Sequence, residues 1–322
     1  MDTRILGPLG PVSVLTLGGG GLGQVWGETK RDEAVATMRA AVDAGITFLD
    51  VAPGYGRGEA EHVVGEAFGG ALPAGVRVGT KIMLGDPDGP VADRIDASLT
   101  RSLATMGVDR ADILWLHSNL VPDAYTPPRF ASVGAKLATP WTRFVEEVRP
   151  AFEDLVASGR IGAWGITGIA LPRTVLDVIA ADPPPAAVQC ATNLLDSVGA
   201  IYVHDEPFRP REVIAAASAR GCGVLGIRAV QAGALTDAMD RDLPPDDADR
   251  LDFDRAAPFR TLAAEAGESP AALAHRYALT MPGVDSVVLG VKNRTELAEC
   301  VAAAGRGPLD ADLVAAIDAS VA

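Results

Sequence analysis

The stretch Gly45–Phe68, "GITFLDVAPGYGRGEAEHVVGEAF", contains one full repeat of the fold. An apolar run ends abruptly on a carboxylate, Asp50. A turn broken by Pro53, Gly54, Gly56 and Gly58 follows and carries one tyrosine, Tyr55. A helical pattern then occupies 59–68. An uninterrupted apolar run suits a strand covered on both faces, as in a parallel sheet, whereas a strand with one wet face alternates.

The same unit recurs along the chain. Apolar runs at 14–20, 46–52, 76–83, 111–118, 161–167, 186–194, 222–230 and 284–291 give eight strand candidates. Helical spacing lies between them. Val35, Met38 and Val42 share a face in 31–44, and Ile95, Leu99, Leu103 and Met106 do so in 93–106. Val145, Val148, Phe152 and Leu155 do so in 142–157, where Pro150 is expected to kink or start the helix. Further helices are predicted at 59–68, 172–181, 210–220, 257–267, 270–280 and 293–304. Eight β-then-α units in 322 residues predict an α/β fold, a (β/α)8 TIM barrel, as one domain over 1–322. A doubly wound sheet is the alternative. Its dinucleotide turn would be "GGGGLG" (18–23), but a lone glycine run is weak evidence, and Pro53 and Tyr55 follow the acidic end of the second strand. At the N-terminus, "GPLG" (7–10) between two short apolar pieces predicts a β-hairpin that caps the other end of the barrel. The segments 119–141 and 236–256 are expected to be long loops over the C-terminal face.

Composition narrows the function classes. With 48% hydrophobic and 22% charged residues, the chain can bury a large core. A formal net charge of -14 argues against nucleic acid and anionic membrane surfaces as partners. Cys190, Cys222 and Cys300 are odd in number and far apart, which suggests neither a disulfide framework nor a metal knuckle. No metal is expected, and the compartment is predicted to be the reducing cytoplasm. The N-terminus lacks the charged start and apolar core of a signal peptide, and no apolar run nears the ~20 residues of a membrane span.

Three ionisable groups stand at or near the ends of successive strands: Asp50, Lys81 and His117, with Tyr55 on the loop after Asp50. In a barrel these ends meet at one mouth, where catalytic groups collect. Taken singly, Asp50 suits a cap or turn, Tyr55 a packed aromatic and His117 a satisfied core histidine. Lys81 inside "VGTKIM" is harder to explain without a partner. Asp50 and Lys81 on adjacent strands would offset each other's burial. The ammonium would then pull the Tyr55 phenol below its usual pKa, and a neutral His117 would orient a carbonyl. That set suits general acid chemistry on C=O, with Tyr55 as the proton donor.

With these segments in order, the sequence resembles the aldo-keto reductase superfamily over nearly its whole length. "LDVAPGYG" resembles the family's Asp–Thr–Ala–x–x–Tyr–Gly signature, with Val51 in place of the usual Thr. "VGTKI" and "DILWLHS" resemble the segments that carry its lysine and histidine, and "GRIGAWGIT", "VQCATNLL" and "PGVDSVVLGVKNRTELAEC" also match. The resemblance implies a catalytic tetrad of Asp50, Tyr55, Lys81 and His117, and a nicotinamide dinucleotide extended across the barrel mouth. Thr167 and Gly168 stand where the family commonly has Ser–Asn on the carboxamide, and Gln189 and Asn193 match further polar positions. Ile227 and Arg228 replace Tyr–Ser, so the nicotinamide floor is expected to be aliphatic, and Arg228 to face a pyrophosphate or a polar substrate group. Gly290, Val291, Lys292 and Arg294 resemble the adenosine 2′-phosphate segment, while Glu296 and Cys300 depart from it. The implied cofactor is NADP(H), favoured modestly, with NAD(H) also bound. The substrate would be a small carbonyl or alcohol: an aldehyde, ketone, sugar or pyridoxal-like compound. Two other classes stay open. One is a regulatory subunit with little turnover. The other is a barrel lyase or isomerase with a Schiff base on Lys81, which would need neither Asp50 nor Tyr55.

Overall fold

The computed structural model describes residues 1–85, 89–125, 137–239 and 241–321. Strands β1 (Thr3–Ile5) and β2 (Pro11–Ser13) form an antiparallel hairpin. Then follow β3 (Leu15–Gly18), β4 (Phe48–Asp50), β5 (Arg77–Ile82) and β6 (Ala111–Leu116), a short parallel pair β7 (Asn119–Val121) and β8 (Ala138–Pro140), and β9 (Ile161–Thr167), β10 (Ala187–Ala191), β11 (Gly223–Ile227) and β12 (Ser286–Leu289). Eight of these strands close into a parallel barrel in the order β3-β4-β5-β6-β9-β10-β11-β12, with β12 paired back to β3. This is the (β/α)8 TIM barrel that the sequence pattern implies. Most of the apolar runs overstate their strands, as 46–52, which pairs only over Phe48–Asp50, whereas 161–167 coincides with its strand.

Helices wrap the barrel with their apolar faces inward. Val91–Met106 buries Ile95, Leu99, Leu103 and Met106, the face predicted from spacing. Inside the barrel, Trp115 is fully buried. Its ring stands where a Cβ on Gly165 of β9 would lie only 2.6 Å away, so glycine makes room for the indole.

The hairpin plugs the N-terminal end of the barrel. Leu6 is buried with Val12, Phe48, Ile113, Trp115, Ala187 and Leu225. A Cβ on Gly223 would meet Leu6 at 2.7 Å, so the plug relies on that glycine. Arg4 donates to Val284 O at 2.7 Å and to Leu279 O at 2.9 Å.

The structure refines one local expectation, corrects another and adds a helix. The helix at 142–157 runs through Trp141–Arg143, a π-turn at Phe144–Val148 and Arg149–Ala157, with Pro150 the second residue of the last segment. The wider turn precedes a residue with no N–H to donate. The expected loop 236–256 contains a helix, Ala248–Arg255, capped by Asp247, whose side chain accepts from Asp249 N. Asp249 and Asp252 are its buried residues, so it has no apolar stripe to read. A last helix, Ala311–Ser320, is not among those predicted; it buries Ile317 and packs Leu313 and Val314 against the core. Of the loop 119–141, residues 126–136 lie outside the described residues. No helix among the described residues is long and apolar enough to cross a membrane.

Candidate active site

Strand register brings the tetrad together. Asp50 closes β4 between Gly18 and Gly79, and Lys81 faces Trp115 across β5 and β6. The Lys81 side chain is 1% exposed; Nζ donates to Asp50 Oδ1 at 2.6 Å and to Val51 O at 3.1 Å. A buried ammonium is tolerated because it is paired and hydrogen-bonded in this way. Lys81 Nζ also lies 5.2 Å from the centre of the Tyr55 ring. His117, whose N–H donates to Ile82 O at 2.8 Å, meets Tyr55 edge-on, with ring centres 5.8 Å apart at 86°. Tyr55 is fixed by its own turn: its N–H donates to Ala52 O at 3.1 Å, and its carbonyl accepts from Ala60 N at 3.3 Å.

The electrostatics differ from expectation at one group. The Tyr55 phenol is pushed above its usual value, because burial outweighs the downward pull of the Lys81 ammonium; the Asp50 charge adds to the rise. The expectation of a lowered pKa is thus corrected. The phenol holds its proton at neutral pH, which is the form a general acid needs. His117 is held down at about 3, by burial first and the Lys81 charge second, so its imidazole is neutral. His204 is held near 4 by burial, and burial also lowers His275. When the folded pKa is the depressed one, protons bind the unfolded chain first as pH falls. Stability is therefore expected to be full above about pH 6.5 and to decline as pH drops from 6.5 toward 4. Melting temperature against pH checks this. His117→Gln should flatten the decline, and an unchanged profile in that variant would remove His117 from the account.

A cleft of about 540 Å³ opens over the tetrad. Of the predicted cofactor residues, Thr167, Gln189, Ile227, Arg228, Gly290, Lys292 and Glu296 line it. Thr167 Oγ1 donates to Leu116 O at 3.1 Å, and Gly168 N to Gln189 O at 2.7 Å. Gln189 is 2% exposed, and its Nε2 has no hydrogen-bond partner. Asn193 is consumed by its own turn: Nδ2 donates to Ser197 O and Arg228 O, and Oδ1 accepts from Leu195 N and Ser197 N.

The structure does not bring Arg294 and Cys300 to the cleft wall. Glu33 draws Arg294 away, accepting from its N at 3.0 Å, Nε at 3.1 Å and Nη2 at 2.9 Å. That grip holds the Glu33 carboxyl near 2. Cys300 is buried with Sγ 3.8 Å from His275 Nε2, and it is His275 that lines the cleft. Glu296 accepts from Lys292 N at 2.8 Å and Asn293 Nδ2 at 3.0 Å, and lies 3.9 Å from Lys292 Nζ. His275 carried no sequence signal, since a histidine at a core helix position reads as packing. Trp26 lines the cleft, whereas Trp141 packs on Phe144 and Tyr125 donates to Asp205.

The sequence and the fold both have known relatives. The family model "Aldo/keto reductase family" matches residues 14–322. L-galactose dehydrogenase of Arabidopsis thaliana is 27% identical over 307 residues, 94% of this chain and 88% of that protein. Methylglyoxal reductase YeaE of Escherichia coli (strain K12) is 29% identical over 194 residues, 60% of this chain and 58% of its own length. The solved structure of a glycerol dehydrogenase from Gluconobacter oxydans superposes with a TM-score of 0.73 at 23% identity, covering 99% of this chain and 94% of that one.

Proposed function

The chain belongs to the aldo/keto reductase family, and on that premise we propose that it is a nicotinamide-dependent oxidoreductase acting on a small carbonyl or alcohol. The observation that carries the proposal is the buried Lys81–Asp50 pair set against Tyr55, with a neutral His117 at its edge. In the reducing direction, the Tyr55 hydroxyl gives its proton to the carbonyl oxygen. Lys81 offsets the charge left on the phenolate, and Asp50 holds the ammonium in place. Neutral His117 orients the carbonyl without competing for the proton at neutral pH. A nicotinamide dinucleotide held against Gln189 and Ile227 would supply the hydride chemistry. The cleft suits such a cofactor: Gln189 presents a buried amide with an unused donor, and Ile227 an apolar wall. A Schiff-base role for Lys81 fits less well. Its nitrogen is a paired ammonium almost out of reach of solvent, neither nucleophilic nor accessible.

The relatives act on short or sugar-like compounds by name, so a panel of short aldehydes, aldoses, polyols and pyridoxal is the direct test. Oxidation or reduction of NAD(P)(H) with a member of the panel is expected. Absence of exchange with all of them, together with borohydride trapping of a carbonyl on Lys81, would replace the proposal with the Schiff-base alternative.

We read the adenosine end at Lys292, which lines the cleft, with Arg294 outside its wall, and cofactor choice then follows from the charges there. Lys292 and Arg294 are each met by a carboxylate, Glu296 and Glu33. A 2′-phosphate would have to compete with both. NADP(H) and NAD(H) are therefore expected to bind with similar affinity, a narrower margin than the sequence implied. Glu33→Gln releases Arg294 and should tighten NADP(H) about fivefold, the size of a screened surface interaction, while sparing NAD(H). Lys292→Ala should weaken NADP(H) alone. Titration with both reduced cofactors by protein fluorescence distinguishes these results. Equal effects on the two would move the phosphate away from this rim.

A further inference from the structure

We infer that Arg228 forms a subsite for a carboxylate on the substrate, so that the preferred substrates are carbonyl compounds, or the matching alcohols, that carry a carboxylate away from the reacting carbon. The inference deepens, and rests on, the oxidoreductase proposal above.

Arg228 follows β11 and lines the cleft, with its side chain only 8% exposed. Its Nη1 has no hydrogen-bond partner. The neighbouring carboxylate atom, Asp249 Oδ1, is 3.9 Å away, beyond hydrogen-bond reach. Asp249 is also already engaged. Oδ1 accepts from Ala200 N and Gln231 Nε2, each at 3.3 Å, and Oδ2 accepts from Arg241 Nη2 at 3.1 Å. Asp252 Oδ2 is taken by Ser197 Oγ at 2.6 Å and Gln231 Nε2 at 2.8 Å. The protein thus keeps a buried guanidinium with an unmet donor, an arrangement that costs stability unless a ligand completes it.

The backbone is bent to hold it there. Arg228 has φ 59°, and Gln231 and Ala232 follow at 43° and 49°. Three non-glycine residues in the left-handed region within five positions are strained, and such strain collects at ligand sites. Trp26 makes a cation–π contact with the guanidinium, 5.1 Å from its carbon to the ring centre. Arg228 and Tyr55 line the same cleft, so a substrate reaching one lies within the walls of the other. A planar guanidinium matches a carboxylate, and Asp249 and Asp252 behind it disfavour a doubly charged phosphate more than a singly charged group.

Butanal and 4-oxobutanoate differ only in the carboxylate. The wild-type protein is expected to favour 4-oxobutanoate in kcat/KM by at least about tenfold. Arg228→Gln should collapse that ratio at least tenfold, and Arg228→Lys should restore part of it. Calorimetry of succinate on the protein saturated with NADH gives a readout without turnover: binding in the wild type and its loss in Arg228→Gln support the subsite. If nothing in the wider substrate panel is turned over, the oxidoreductase proposal fails, while succinate binding still decides this one. A wild-type ratio near one, or no succinate binding, overturns the inference. Equal losses for both aldehydes with matching loss of dinucleotide affinity would assign Arg228 to the cofactor's pyrophosphate. Preference for glyceraldehyde 3-phosphate over 4-oxobutanoate would show that the anion recognised is a phosphate.

Discussion

Tyr55→Phe is expected to lower turnover at least about a hundredfold while leaving the fold and dinucleotide affinity nearly unchanged. Loss of a positioned general acid typically removes a factor of about 10²–10⁴. The substitution deletes one oxygen and keeps the ring, so the edge-on contact with His117 and the neighbouring Lys81 survive. The hydroxyl is also the one group of the tetrad that holds a transferable proton at neutral pH without an ion-pair partner. His117 is already neutral, and Lys81 is tied to Asp50. Steady-state kinetics and fluorescence titration of the reduced cofactor measure the two quantities separately. More than half the wild-type turnover in this variant would take the role of acid away from Tyr55.

Lys81→Met should abolish turnover and also destabilise the protein, for a different reason. It leaves the Asp50 carboxylate, 2% exposed, without its cation. Breaking a buried pair from one side costs about 3–5 kcal/mol, or roughly 5 °C in melting temperature for a chain of this length. The double variant Asp50→Leu/Lys81→Met removes both charges and should recover most of that stability without recovering activity. Scanning calorimetry beside kinetics separates the two effects. If the single variant melts like the wild type, the pair is not the buried ion pair described here, and its role in setting Tyr55 must be abandoned.

Much of the fold was legible because burial on both faces writes strands as unbroken apolar runs, and eight of them spaced by helical faces leave few architectures. Asp50, Lys81 and His117 stood out for the same reason, as polar residues ending runs that should have none. What lay outside local pattern was not legible. The helix Ala248–Arg255 is held by Asp249 and Asp252 reaching other segments, with no apolar stripe of its own. Glu33 captures Arg294 from 261 positions away. The direction of the Tyr55 shift depends on how deeply the phenol is buried against how near the ammonium lies, a balance of two distances that no motif encodes.

The hairpin plug has a consequence for how the molecule forms. Leu6 is seated among residues as distant as Leu225, and Arg4 is anchored on carbonyls of Leu279 and Val284. On a ribosome, this segment thus has to wait for partners made 275 and 280 residues later. Until the chain is made through Val284, Leu6 lacks Leu225, Arg4 lacks both of its carbonyls, and the lower end of the nascent barrel stays open to water. Closure by contacts this far apart in sequence is slow and exposes apolar surface in the interval. The final act of folding is therefore expected to be the docking of residues 3–13. The same residues become the clasp whose release opens the way to unfolding.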